Sequence, residues 1–176
     1  MDAGRDAGPS LCDPSPTNME ISEIMVASQT GSGDLGEWFE VHNLTACPIN
    51  LTGLVITIGR AHMVASGLLT AGGFAVFAQS AEAGENHGLG EDYAYGPLGM
   101  SNSGGEVVLS FSMTEIARVA WNSTDHRTGR SRQLSAGASM SSALGGSGWC
   151  DSTAVYSTSP GGPYLGTPGM VNAPCP

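Results

Sequence analysis

Two glutamates flank a pair of aromatics in the stretch GEWFEVHN, residues 36–43. Glu37 and Glu40 are the residue type that hydrolases use as general acid and general base. The spacing argues against that use. Side chains alternate along a strand, so residues three apart project to opposite faces and cannot flank one bond. A working pair would need Glu23, from the preceding strand-like stretch, opposite Glu37 or Glu40. The favoured reading is an ordinary strand with carboxylates at its rim, and no catalytic residue is assigned.

Other chemistry-bearing residues fare similarly. His42, His62, His87 and His126 lack the i, i+2 or i, i+4 companion common in metal sites. Ser123, Asp125 and His126 lie together in NSTDH, but sequence neighbours do not form a proton relay, and no nucleophile-elbow pattern is near. The acidic residues Asp34, Glu37, Glu82, Glu85, Glu91 and Asp92 fall in or beside loops. Calcium is therefore the one cofactor the pattern admits, with Asp34, Glu37, Glu91 and Asp92 as candidate ligands. Against it, 16 acidic residues cluster somewhere without any ion. In YAYGPLGM (93–100), Tyr93, Tyr95 and Met100 stand in an otherwise polar loop. They either form a binding surface or pin the loop to the domain.

Composition bounds the partners. The net charge is −10, with six arginines and no lysine. Nucleic acid is excluded for want of a basic patch, since the cluster Arg127, Arg130 and Arg132 reads as a solvated turn. No apolar stretch approaches the ~18 residues of a membrane span, so membrane insertion is not expected. Cys12, Cys47, Cys150 and Cys175 form no C-x-x-C pair and read as two disulfides in an oxidising compartment. Four cysteines allow three pairings. The favoured one is Cys47–Cys150 with Cys12–Cys175, the second stapling the two ends. The expected location is extracellular or at the cell surface, any signal peptide having been removed.

The elements that position these residues are short strands. Glycine is 26 of 176 residues, about twice the usual share, and turn residues recur between short apolar runs. Residues 1–18, with a DAG repeat and DPSPT, read as a flexible linker or tail; the domain occupies 19–176. In MEISEIMVAS (19–28), alternation puts Ile21, Glu23 and Met25 on one side and Ser22, Ile24 and Val26 on the other. In EWFEVHN, Phe39 and Val41 oppose Trp38, Glu40 and His42. FAVFAQS (74–80) is apolar enough to be a central strand. GGEVVLSFS and EIARVAW form a hairpin about Met113-Thr114, and residues 80–100 make an extended loop. No segment holds helical spacing. The chain is all-β, with seven to nine short strands and long loops, and two packed sheets cover the apolar faces better than one open sheet.

Seven stretches in order resemble the lamin tail domain in its bacterial extracellular form. They are ISEIM (21–25), GEWFEVHN (36–43), INLTGLVI (49–56), LLTAGGFAVFAQ (68–79), LSFSMTEIARVAW (109–121), SRQLS (131–135) and GTPGMVN (166–172). The resemblance implies an immunoglobulin-like β-sandwich. It also implies a non-catalytic binding or attachment module of a secreted or surface protein, engaging a cell-surface polymer or a partner protein. The 176 residues hold no heptad rod, which sets aside the filament role the domain serves in animals. Alternatives are a self-assembling structural subunit, a homo-oligomer joined through edge strands or the N-terminal tail, and a hydrolase with an unrecognised site.

Overall fold

The computed structural model describes residues 10–31 and 33–176, and among these it contains strands and turns but no α-helix. In chain order the strands are β1 (Met19–Met25), β2 (Trp38–Asn43), β3 (Ile49–Asn50), β4 (Val55–Ile58), β5 (Arg60–Met63), β6 (Leu68–Leu69) and β7 (Phe74–Ala78). There follow β8 (Tyr93–Ala94), β9 (Gly104–Phe111), β10 (Thr114–Asn122), β11 (Arg132–Leu134), β12 (Trp149–Asp151), β13 (Val155–Ser157) and β14 (Tyr164–Leu165). The strands outnumber the seven to nine expected because several are only two residues long, too short to show alternation.

Ten strands make two sheets. One has six strands in the order β12-β11-β1-β2-β7-β8, the other four in the order β10-β9-β4-β5. Every pairing in them is antiparallel except β7 with β8. A single apolar cluster lies between the sheets, taking Ile21, Phe39, Val41 and Phe77 from the first and Ile56, Val107, Leu109 and Val119 from the second. The domain is a β-sandwich. Phe39 and Phe77, cross-strand partners, stack at 5.1 Å with planes 2° apart. The β9–β10 hairpin forms as expected, one residue earlier than read, with both turn residues, Ser112 and Met113, at positive φ.

The alternation of β2 holds as read; that of β1 does not. The register of β1 against β2 shifts between Ile21 and Glu23. This bulge adds one residue, Ser22, and reverses the parity beyond it. Ile21 and Ile24 therefore share the core although three apart, and Glu23 and Met25 turn to the outer face. That outer face is itself covered in part. Met25, Trp38, Val76, Ala78 and Leu89 form a second cluster with Tyr156 packed on it.

The disulfides correct the expected pairing: Cys12 joins Cys47 and Cys150 joins Cys175. Strand order is the reason. Cys150 lies in β12, and β11 and β1 separate β12 from β2, which leads to Cys47. Three strand spacings are about 14 Å, beyond disulfide reach. The expected boundary at residue 18 also moves. Cys12 donates its N–H to Pro48 O at 2.8 Å and accepts from Asn50 N at 3.0 Å. Residues 10–18 thus belong to the domain; residues 1–9 of the expected linker lie outside the described residues.

Two outcomes follow. Phe39→Ala removes the centre of the inter-sheet core and lowers unfolding stability by about 3–5 kcal/mol in urea titrations. Non-reducing peptide mapping recovers Cys12 with Cys47 and Cys150 with Cys175, and no peptide joins Cys12 to Cys175.

Candidate functional site

The β1 bulge creates the carboxylate pair that alternation alone forbids. Glu23 becomes the direct cross-strand partner of Glu40, and both are fully buried. Their partners come from the end of the chain. Glu23 accepts from Thr167 N at 3.0 Å, from Thr167 Oγ1 at 2.7 Å and from Ser131 Oγ. Glu40 accepts from Ser22 Oγ at 2.7 Å and from Gly169 N at 2.6 Å. Asn172 completes the arrangement by donating to Ser22 O at 2.8 Å and Leu134 O at 3.0 Å. GTPGMVN is thus a strap across the outer face of the six-stranded sheet. Gly166 opens it because a side chain there would meet Trp38 Cζ2 at 2.9 Å.

The proton count of this network decides its chemistry. Thr167 Oγ1 faces both Glu23 Oε2 and Asn172 Oδ1, at 2.7 and 2.6 Å, and has one proton. The amide of Asn172 is oriented by the two carbonyls its nitrogen serves, so Oδ1 must accept. Both contacts are satisfied when Glu23 carries a proton and donates to Thr167. Burial acts the same way: it raises the Glu23 pKa against the Ser131 and Thr167 hydrogen bonds. Burial also lifts Glu40 from 4.5 to about 8, opposed by the Ser22 bond and reinforced by the neighbouring Glu23, whose carboxyl and that of Glu40 disfavour each other's ionisation. Glu37, on the other side of the strand, rises to about 8 by burial, opposed by Met100 N and reinforced by Asp34. No groove described below is lined by Glu23, Glu37 or Glu40.

A second constellation was not legible from the chain. Ser28, Asp34 and His87 converge, with Ser28 Oγ 2.8 Å from His87 Nε2 and also bonded to Asp34 Oδ1. In a serine relay the carboxylate orients the imidazole, which takes the serine proton. Here the carboxylate takes the serine bond directly, so the network assigns the proton on Nε2 to His87, which donates to Ser28. Asp34 accepts in addition from Ser28 N at 2.7 Å and Gly36 N at 3.0 Å. His87 stacks on Tyr164 at 3.8 Å, and burial lowers its pKa against the pull of Asp34. A side chain at Gly36 would collide with Ser28 and approach His87 Cδ2 to 2.6 Å. The cluster ties the β1–β2 loop to the β7–β8 loop. Only its distant members and the need for glycine at 36 could have signalled it, and neither is a motif.

The expected loop sites are corrected. Tyr95 and Met100 are buried in the core at 1% and 3% exposure, Tyr95 stacking on Phe39 at 5.8 Å. Tyr93 is half-buried with its hydroxyl 2.8 Å from His62 Nε2. These residues pin the loop because Tyr95 follows the short β8 into the sheet and continues its hydrogen bonding, donating N–H to Ala78 O. The calcium candidates are dispersed among other partners. Asp34 and Glu37 accept the amides already named, Glu91 accepts from Asn86 Nδ2 at 3.0 Å, and Asp92 accepts from Val76 N at 2.8 Å. Among the described residues no three His, Cys, Asp or Glu side chains gather as a metal site. Of the arginine cluster, Arg132 pairs with Asp151 at 3.0 Å and Arg127 bonds the carbonyls of Thr124 and His126.

A groove of about 400 Å³ lies beside the strap at one end of the outer sheet face, and two further clefts are lined by His87 and by Ser28. Glu20, His42 and Phe74 line the groove from β1, β2 and β7, with Leu44, Leu134 and Val171 around them. His42 stacks on Phe74 at 4.3 Å with planes 10° apart, and its Nδ1 lies 3.2 Å from Glu20 Oε1. A shallower groove of about 480 Å³ shares His42 and Leu44 and continues past Thr45 and Gly72. The sequence matches no protein-family model and no curated protein.

The carboxyls make stability depend on pH with a definite sign. A carboxyl whose folded pKa is raised keeps its proton where the unfolded one has lost it. Its stabilisation is fully present below the unfolded value near 4.5 and is lost as pH rises through the folded value near 8. Each unit of the interval is worth on the order of 1.4 kcal/mol per group. Urea midpoints therefore fall between pH 5 and pH 8, and Glu40→Gln, which keeps the shape without the charge, flattens the slope.

Proposed function

We propose that this chain is a non-catalytic binding or attachment module of a secreted or surface protein, built on an immunoglobulin-like sandwich of the lamin tail type. One contrast carries the reading. Glu23, Glu37 and Glu40 and the Ser28–Asp34–His87 cluster are buried and hydrogen-bonded within the protein, whereas in the open groove the Glu20–His42 pair has no hydroxyl or thiol hydrogen-bonded to it among the described residues. The seven ordered stretches that resemble the lamin tail domain support the fold assignment, GTPGMVN included, since its residues have defined partners in the strap.

Two disulfides fit an oxidising compartment, and among the described residues no helix is long and apolar enough to cross a membrane. An extracellular or cell-surface location follows from the first of these together with the family resemblance. The partner is a surface polymer or a protein.

The test is co-sedimentation of the purified domain with bacterial cell-envelope material, with Val171→Asp as the groove-blocked control. Val171 is 71% exposed, so the substitution leaves the fold intact. Pelleting of the wild type and its loss in the variant support a groove-mediated module. Equal behaviour of the two proteins removes the groove from the reading. Chelator is expected to make no difference, because among the described residues no three His, Cys, Asp or Glu side chains gather as a metal site.

A further inference from the structure

The groove has a composition that selects its occupant, and the argument rests on the binding-module reading above. Its floor is the part of the outer sheet face not covered by the strap or by the Trp38 layer. At the floor the His42 ring covers one face of Phe74. That removes much of the flat aromatic platform on which a sugar ring would stack. The remaining apolar lining is aliphatic, Leu44 and Val171 with Leu134, Ala136 and Ala138, beside a wall that also carries Ser135 and Ser139. Leu44 is 47% and Val171 71% exposed, and the neighbouring Met170 is 60% exposed. Apolar side chains held out in water beside a groove are surface that a partner would remove from solvent.

The aliphatic rim is also rigid. Val171 and Met170 lie between Gly169, whose N–H is held by Glu40, and Asn172, whose amide is held by Ser22 and Leu134. A clamped rim loses little freedom when a partner arrives, so less of the contact energy is lost to ordering.

Charge supplies the rest. The acidic group in the groove is Glu20, whose Oε1 faces His42 while no protein donor is bonded to Oε2 among the described residues. The chain as a whole carries −10. A second copy of the same acidic chain is repelled, as are anionic polymers, and a cationic partner is attracted.

The geometry points to a docking site for an extended, basic segment of a partner protein, with an aliphatic side chain seated between Leu44 and Val171 and a lysine or arginine on Glu20. The segment lies across the ends of β1, β2 and β7, and the continuation past Thr45 and Gly72 accommodates its further residues.

The experiment pans the purified domain against a displayed library of short random peptides and, in parallel, applies it to a glycan array. Peptides recovered are synthesised and titrated against wild type, Glu20→Gln, Val171→Asp and, as a remote control, Met113→Asp at the tip of the β9–β10 hairpin. The expected result is enrichment of Lys or Arg within a few residues of Leu, Ile or Val. Val171→Asp then abolishes binding, and Glu20→Gln weakens it roughly ten-fold, the size of one lost charge-assisted contact, while reducing its salt dependence. Met113→Asp binds as wild type, and all variants keep the wild-type melting temperature. Recovery of peptides without basic residues, or equal binding by Val171→Asp, overturns the site. Retention on glycans but not peptides, lost in Val171→Asp, overturns the peptide occupant and leaves the binding-module reading standing. Retention on neither overturns both.

Discussion

Two buried glutamates that face each other across β1 and β2, beneath the strap that covers them, hold the far end of the chain in place. Removing a carboxylate from water costs several kcal/mol unless donors replace the lost solvent or a proton neutralises it. Both remedies operate here. Thr167, Gly169 and Ser131 supply donors, and burial raises the Glu23 pKa and lifts that of Glu40 to about 8. The contact between Glu23 and Thr167 joins residues 144 apart in sequence, so the strap docks only once the sheet exists.

The strap shapes what the surface can do. Its inward residues satisfy the carboxyls, so that chemically capable groups are sealed from solvent. Its exposed residue Val171 borders a groove on the sheet's outer face. A single stretch, GTPGMVN, therefore closes a candidate acid–base pair and lines a groove. The Ser28–Asp34–His87 cluster follows the same logic. A serine and an imidazole at bonding distance do not make a nucleophile when the nearest carboxylate accepts the hydroxyl proton itself.

Short-range pattern carried much of the fold. Strict alternation in EWFEVHN, the apolar run FAVFAQS and the paired stretches about Met113 identified β2, β7 and the β9–β10 hairpin, because strand periodicity is a local property. All-β class and two packed sheets followed from turn spacing and the need to cover apolar faces. The same local rule misplaced β1 beyond Ser22, since a bulge changes parity without any composition of its own. It also read Tyr95 and Met100 as loop surface, because a loop's depth depends on what it crosses rather than on its neighbours in sequence.

What the amino-acid sequence determined by itself was the class of fold, the strands with clean alternation, the presence of two disulfides among four cysteines and the acidic character of the chain. Tertiary structure alone decided the disulfide partners, the meeting of Glu23 with Glu40, the assembly of Ser28 with His87 and the groove beneath Val171. Each of these depends on strand order and register, which bring together residues that no local period relates. Burial then decided their chemistry, since the same glutamate is a solvated anion on a rim and a proton-bearing hydrogen-bond partner beneath a strap.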